Sequence, residues 1–321
     1  MNRYCIGIDL GGTYTKFGLL DEQRRLSDTF QLPTPADRGA DGVVGQMAAG
    51  ARRLIDAAKA NAGEVLAVGI GSPGPLSVSR GRIFAMPNIP GMEDVPLRDR
   101  ISEALDLPAV LENDANAAAF GEYICGAGKG AGDMVMLTLG TGLGSGFILN
   151  GRILHGVHEI GGELGHLVVQ PGGRQCACGQ KGCLERYCSA TYLAMYAQRR
   201  IEEGDEPTVL RDVLRDKGAI DAKDIADARR AGDKLANQAW DECAYYLAVG
   251  CVNVCRLFDP DEIVLAGGLT RAGDELLHPV VRHFHELHWH ITEVKTEITL
   301  ARLGTDAGII GAAGVAWQQF A

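Results

Sequence analysis

Apolar and polar positions alternate along the chain in a strand-and-helix rhythm. Tyr4-Cys5-Ile6-Gly7-Ile8 is a short apolar run ending at Asp9. Lys16-Phe17-Gly18-Leu19-Leu20 is a second, across a Gly11-Gly12 turn, so two strands are predicted. From Val43 to Ala58 the apolar positions Val43, Val44, Met47, Ala48, Ala51, Leu54, Ile55 and Ala58 recur at helical spacing. Leu66 to Ile70 predicts a buried strand, stopped by Gly71-Ser72-Pro73-Gly74-Pro75. Pro96 to Leu105 predicts a helix, Ala109-Val110-Leu111 a strand, and Ala115 to Tyr123 another helix. Met134 to Leu139 opens a second strand set. Phe147-Ile148-Leu149 and Arg152-Ile153-Leu154 form a hairpin around Asn150-Gly151. A long helix is expected over Lys234 to Phe258, ended by Asp259-Pro260. The strand Ile263 to Ala266 runs into Gly267-Gly268, and a last helix covers Asp306 to Gln318. The polar stretch Gly204 to Asp221 reads as a surface excursion.

The start of the chain has an echo 129 residues on. Ile8-Asp9-Leu10-Gly11-Gly12-Thr13 before the strand Phe17 to Leu20 matches Thr138-Leu139-Gly140-Thr141-Gly142 before Phe147 to Leu149. Each copy is strand, Gly/Thr turn, strand, which points to a duplicated α/β domain with two facing turns.

The chain has 321 residues, a prior of about two domains. Apolar residues are 46% and charged residues 22%, which excludes collagen-like, coiled-coil and disordered classes. Acidic residues number 41 against 31 basic, a net charge of −10. That argues against nucleic acid or an anionic membrane as a partner, since both need a positive field. No apolar run reaches the ~18 residues of a membrane span, and no leader pattern opens the chain. A cytoplasmic protein is expected. Nine cysteines are an odd number and read as thiols or metal ligands. The 43 glycines exceed ordinary usage and point to tight turns or backbone-lined ligand loops.

Asp9-Leu10-Gly11-Gly12-Thr13-Tyr14-Thr15-Lys16 lets backbone N–H groups approach an anion. Thr13 and Thr15 add hydroxyls, Lys16 adds charge, and Asp9 suits the water shell of Mg²⁺. Gly140-Thr141-Gly142-Leu143-Gly144-Ser145-Gly146 is neither a Walker loop nor a G-x-G-x-x-G run. Two such turns suggest phosphates gripped from both sides. Gly267-Gly268 after a strand suits a nucleotide base or ribose, or else close backbone packing. Asn113-Asp114 between strand and helix is an N-cap pair or a general base.

The strongest local signal is His166 with Cys176, Cys178 and Cys183. One histidine and three cysteines within 18 residues make a closed, structural zinc set. Glu163 and Glu185 flank that loop and can accept hydrogen bonds from vicinal hydroxyls. Asn88 is another candidate polar contact. His278, His283, His285, His288 and His290 fit no regular ligand spacing, and Cys251 and Cys255 read as core thiols.

With these pieces in this order, nearly the whole chain resembles the ROK family (repressor, open reading frame, kinase) of the actin-like ATPase superfamily. The resemblance implies an α/β fold of two actin-like, ribonuclease H-like domains with a central ATP and sugar cleft. The smaller would be residues 1–115 plus 306–321, and the larger residues 116–305 with the zinc loop. It implies ATP-dependent phosphorylation of a hexose, glucose to glucose 6-phosphate first, with Mg²⁺ and structural Zn²⁺. Asp114 would be the catalytic base. Asn88, Asn113, Asp114, Glu163, His166 and Glu185 would contact sugar. His166, Cys176, Cys178 and Cys183 would hold zinc. Asp9, Gly11, Gly12, Thr13, Lys16, Gly140, Thr141, Gly142, Gly144, Gly267 and Gly268 would serve the nucleotide. Relatives also handle mannose, fructose, allose, N-acetylglucosamine and N-acetylmannosamine, and polyphosphate is an alternative donor. A homodimer or higher homo-oligomer is expected. Repressor members carry an N-terminal helix-turn-helix of some 70 residues, for which the strand at Tyr4 leaves no room. A non-catalytic sugar-responsive regulator is a further alternative. The stretch His158-Glu159-Ile160-Gly161-Gly162 carries a charge where many relatives have small residues, so hexose identity is open there.

Overall fold

The computed structural model of the chain describes residues 2–86, 89–204 and 207–321. The chain divides into two compact units. Unit 1 holds Met1–Ala131, Gly146–Gly161 and Arg302–Ala321, and unit 2 holds Gly132–Ser145 and Gly162–Ala301.

Unit 1 opens with β1 (Asn2–Leu10), β2 (Tyr14–Asp21) and β3 (Leu26–Pro33), then α1 (Gly39–Ala60) and β4 (Gly63–Ser72). A small sheet of β5 (Leu76–Ser77), β6 (Arg82–Ala85) and β7 (Glu93–Val95) precedes α2 (Leu97–Leu105), β8 (Ala109–Asn113) and α3 (Asp114–Cys125). Next come β9 (Met134–Leu139), β10 (Leu143–Leu149) and β11 (Arg152–Ile153). Unit 2 continues with α4 (Glu185–Cys188), α5 (Ala190–Glu203), α6 (Leu210–Lys217), α7 (Ala222–Arg230), α8 (Lys234–Phe258), β12 (Glu262–Ala266), α9 (Asp274–Leu287) and β13 (Glu297–Leu300). The terminal α10 (Ala307–Phe320) returns to unit 1.

The 129-residue echo marks a repeated topology. One sheet has the order β3-β2-β1-β4-β8, the other β11-β10-β9-β12-β13. In the first, β1 pairs antiparallel with β2 and parallel with β4. In the second, β9 pairs parallel with β12, and β12 parallel with β13. The Asn150-Gly151 hairpin forms as expected, with both residues at positive φ (51° and 72°), the conformation of a type I′ turn.

Strand alternation sorts the side chains of unit 1 onto two faces. Ile6, Ile8 and Leu10 of β1 join Val43, Met47 and Leu54 of α1 in one core. Cys5 of β1 joins Ile310, Ala313 and Trp317 of α10 in the other. The second face is built for close approach. A Cβ on Gly69 of β4 would fall 1.8 Å from the Ala312 carbonyl oxygen, so only glycine lets α10 lie this near the sheet. Trp317 anchors the helix by donating from Nε1 to the Leu20 carbonyl at 2.9 Å.

Gly204 to Asp221 is largely exposed, as expected, with one addition. It contains α6, whose Leu210 is fully buried while most of the helix faces solvent. One buried apolar residue gave too little periodicity to reveal it. β3 was hidden for a similar reason, as a strand with most of its residues exposed or half-buried and little apolar signal. No helix among the described residues is long and apolar enough to cross a membrane.

Candidate active site and metal centre

In unit 1, three parallel strands end side by side. Asp9 of β1 pairs with Gly71 of β4, and Ser72 of β4 pairs with Asn113 of β8. Adjacent strands are ~4.8 Å apart, which sets Asp9 and Asn113 about 10 Å apart along one sheet end. Such ends are where α/β sheets collect ligands. The Asp9 turn closes with the Gly11 amide donating to the Tyr14 carbonyl at 3.0 Å. Thr34, which the sequence did not single out, buttresses it: its hydroxyl donates to Gly11 O at 2.7 Å and its amide to Thr13 O at 2.8 Å. Gly12 and Thr13 face solvent. Thr15 does not. It is fully buried and its hydroxyl lies 3.0 Å from that of Thr34, because strand alternation turns it inward. Lys16 Nζ sits 3.3 Å from Asp9 Oδ2 and donates to Thr305 O at 3.1 Å.

At the head of α3, Asn113 is the N-cap. Its Oδ1 accepts from the Ala115 and Asn116 amides at 3.0 and 3.3 Å. Asp114 is therefore the first helical residue, at the positive end of the helix dipole. Below it lies a carboxylate the sequence reading passed over. Glu112 is 1% exposed. Its Oε1 accepts from the Asn113 amide at 2.8 Å and from Asn116 Nδ2 at 3.0 Å, and its Oε2 lies 2.8 Å from His155 Nε2. A charge inside an apolar strand, just before Asn113-Asp114, was the available signal, because buried carboxylates need partners.

The Glu112 hydrogen bond, opposed by burial and aided by the Glu112 charge, raises His155 above its ordinary 6.5. A raised histidine stabilises the fold in its protonated form. That contribution is complete below the unfolded value and fades as pH rises through the raised one. The difference in Tm between the native protein and His155→Gln should therefore be largest near roughly pH 6 and shrink in alkali. Thermal scans across pH check this, and a pH-independent difference would contradict it.

Glu159, the charge noted before Glu163, has φ of 58°. Its Oε1 accepts from the Ser79 amide at 2.8 Å, and its carboxyl is held below the ordinary range by Ser77 and Ser79 against the opposing effect of burial. This ties the loop to the turn after β5. Asn88 lies outside the described residues.

In unit 2, the glycine turn follows β9 and Gly267-Gly268 follows β12, whose Ala266 pairs with Thr138 of β9. The Gly140 amide donates to Gly142 O at 3.0 Å, and Thr141 is exposed at the crest. Ser145 Oγ donates to Gly162 O and accepts from the Leu164 amide at 3.0 Å, which fixes the segment carrying the exposed Glu163. Gly267 has φ of 92°, and a Cβ there would fall 2.5 Å from Leu139 O. Close packing of the two strand ends thus explains Gly267. Gly268 and Leu269 line a recess of about 340 Å³ with Ala222, Ala226, Arg230 and Trp240.

His166, Cys176, Cys178 and Cys183 bring their donor atoms within 4.8 Å of one another. Cys178 Sγ is 3.7 Å from Cys183 Sγ, and Cys176 Sγ is 3.8 Å from His166 Nδ1. A tetrahedral zinc with Zn–S near 2.3 Å has ligand edges of about 3.8 Å. The set fits zinc. With Nδ1 toward the metal, His166 keeps Nε2 for another partner. Glu185 links this loop to the glycine turn: its Oε2 accepts from the Leu143 amide at 2.9 Å, and its Oε1 lies 4.0 Å from Cys176 Sγ.

The two α8 cysteines are core thiols, as expected. Cys251 and Cys255 are buried in α8, and burial pushes both thiols up. His283 lies 2.9 Å from Asp241 and 3.1 Å from Glu286, and His288 lies 3.0 Å from Arg256.

Comparison with known proteins places the whole chain in a family. The sequence profile of the ROK family matches residues 5–319. A glucokinase of Halalkalibacterium halodurans is 38% identical over 320 residues, 99% of this chain and 96% of that protein. The ROK hexokinase structure from Thermus thermophilus superposes with a TM-score of 0.82 at 35% identity, over 98% of each chain. A ROK glucokinase from Streptomyces griseus, solved with glucose and AMPPNP, gives 0.76 at 35% identity over 98% of this chain and 99% of that one. These solved relatives carry the actin-like ATPase fold, which the repeated sheet order shares. The chain, with its two glycine turns, its Asn-Asp helix head and its Cys₃His loop, belongs to the ROK family.

Proposed function

We propose that the protein is an ATP-dependent glucokinase that transfers the γ-phosphoryl group of ATP to the 6-hydroxyl of glucose. The observation that carries this is the Asp114 carboxylate at the head of α3, directly after Asn113, whose amide the buried Glu112 holds and whose strand ends beside those of β4 and β1. Full-length likeness to proteins named glucokinase supports the acceptor.

Each unit supplies its own groups. In unit 1, Gly11, Gly12 and Thr13 offer N–H and hydroxyl donors to phosphate, and Lys16 offers charge. Asp9, a single carboxylate at a strand end, fits Mg²⁺, which takes few carboxylates and keeps several waters. When bound, Mg²⁺ neutralises charge on the β- and γ-phosphates. In unit 2, Gly140, Thr141, Gly142 and Gly144 offer further phosphate donors, and the recess beside Gly268 takes the base and ribose. Asn113, Glu163, His166 and Glu185 bind sugar hydroxyls, and Asn88 joins them by resemblance. Asn113 spends its Oδ1 on the cap, so its Nδ2 is the group it turns to sugar. Asp114 accepts the O6 proton as O6 bonds to the γ-phosphorus, the bond to the β–γ bridging oxygen breaks, and ADP leaves. Zinc, when bound, supplies rigidity to the loop that holds His166 and Glu185.

One observation favours keeping other hexoses as a second reading. Glu159 and its serine contacts shape the loop leading to Glu163, where specificity can differ. A coupled ADP-release assay with Mg-ATP against glucose, mannose, fructose, allose, N-acetylglucosamine and N-acetylmannosamine separates the two. We expect kcat/KM for glucose to exceed every other sugar by at least ~10-fold. A preference for another sugar would overturn the glucose assignment and keep the chemistry.

A further inference from the structure

Unit 2 carries a second recess that the proposed reaction does not use. It encloses about 800 Å³ and is lined by Arg174, Arg186, Arg199, Arg200, Tyr192 and Tyr196, with two carboxylates, Glu203 and Glu242. That volume is within the ~300–1,000 Å³ of small-molecule sites. Four guanidinium groups face two carboxylates there, in a chain whose overall charge is −10.

The arginines are not equivalent. Arg174 is committed: it pairs with both Glu242 oxygens at 2.8 and 3.0 Å and donates to Arg186 O at 3.0 Å. Arg199 pairs with Glu203 at 2.8 Å. Arg186 differs. Its guanidinium carbon lies over the Tyr192 ring, 3.3 Å from its centre, and its buried Nε has no hydrogen-bond partner. No carboxylate among the described residues pairs with it. Its terminal nitrogens have no hydrogen-bond partner among the described residues and border the recess, where an anion can reach them. Phosphate suits a guanidinium fork better than a single lone pair does, because it offers several oxygens in bidentate geometry. Tyr192, Tyr196 and Met195 add a flat, largely apolar wall for an organic group.

We propose that this recess binds a phosphate monoester of a small metabolite, with the phosphate on Arg186 and the organic part against Tyr192 and Tyr196. The position matters for the rest of unit 2. Arg186 follows Glu185 directly, and Arg174 stands two residues before Cys176. A ligand here would sit beside the metal loop, whose Gln175 also lines the recess.

The test is calorimetric titration of the full-length, zinc-loaded protein, saturated with glucose and AMPPNP. The probes are glucose 6-phosphate and inorganic phosphate, titrated separately. We expect about one equivalent of glucose 6-phosphate to bind, at least ~10-fold more tightly than inorganic phosphate. Arg186→Gln should weaken it at least ~10-fold with Tm and zinc content unchanged. Tyr192→Leu, a second variant if the first is unstable, should weaken the monoester more than inorganic phosphate. Absence of binding under these conditions, or equal affinity in Arg186→Gln, would overturn the site. Inorganic phosphate binding as tightly as the ester would overturn the monoester assignment. The readout is binding at a filled reaction site, so its failure is distinct from failure of the kinase reading.

Discussion

Asp114→Asn lowers kcat for glucose phosphorylation at least ~10²-fold, and by as much as ~10⁴-fold, while Tm stays close to that of the native protein. The stability half of this expectation comes from local geometry. The helix start is capped by Asn113, Glu112 holds the Asn113 amide and Asn116, and the Ala115 amide that Asp114 Oδ1 accepts at 2.8 Å can be accepted equally by an asparagine oxygen, so only the small dipole contribution of the charge is lost. Asn keeps the shape of the side chain and removes its ability to take a proton. The kinetic half comes from the role itself. A group needed only as the hydroxyl loses its proton affects kcat, whereas a group that merely binds sugar raises KM. Steady-state kinetics with glucose and ATP varied separately read the two apart. A loss below ~10-fold in kcat would place the base elsewhere.

Removing the metal has the second large effect. Metal analysis should find one zinc per chain, and Cys176→Ser should lose it. The Cys₃His set lies in a loop with little regular structure of its own, held by the short bridges Val168–Cys183 and Gln175–Lys181. In such a segment, metal-binding free energy becomes folding free energy. At ~2–4 °C per kcal/mol for a domain of this size, a loss of several kcal/mol lowers Tm by about 10 °C. Activity falls with it, because Glu185 bonds the Leu143 amide of the glycine turn and His166 donates a metal ligand from the segment next to Glu163. Differential scanning calorimetry and turnover, measured before and after chelation, check both. Unchanged Tm and activity in zinc-free protein would refute a structural role for the metal.

Much of this was legible in the chain, because the relevant signals are local. The glycine turns follow apolar runs, so strand ends could be placed, and the 129-residue echo announced a repeat that both sheet orders share. The Cys₃His set was legible because four ligands lie within 18 residues. What was not legible depends on pairs far apart in sequence. Glu112 and His155 are 43 residues apart, and neither alone signals the other. Thr34 props the Asp9 turn from 23 residues beyond Gly11. Thr15 looked like a phosphate donor because the strand boundary was placed at Lys16; β2 starts at Tyr14, which turns Thr15 into the core. For Asn113, the N-cap reading is visible in the geometry, and the sugar contact that the family resemblance implies belongs to the proposal through its remaining amide.

The proposed reaction is phosphoryl transfer from ATP to the glucose 6-hydroxyl. Phosphorus NMR of the zinc-loaded protein with Mg-ATP and glucose follows it directly. ADP and glucose 6-phosphate should appear together in equal amounts, with no inorganic phosphate. ATP left intact, or ATP split to ADP and inorganic phosphate with no sugar phosphate, would contradict it.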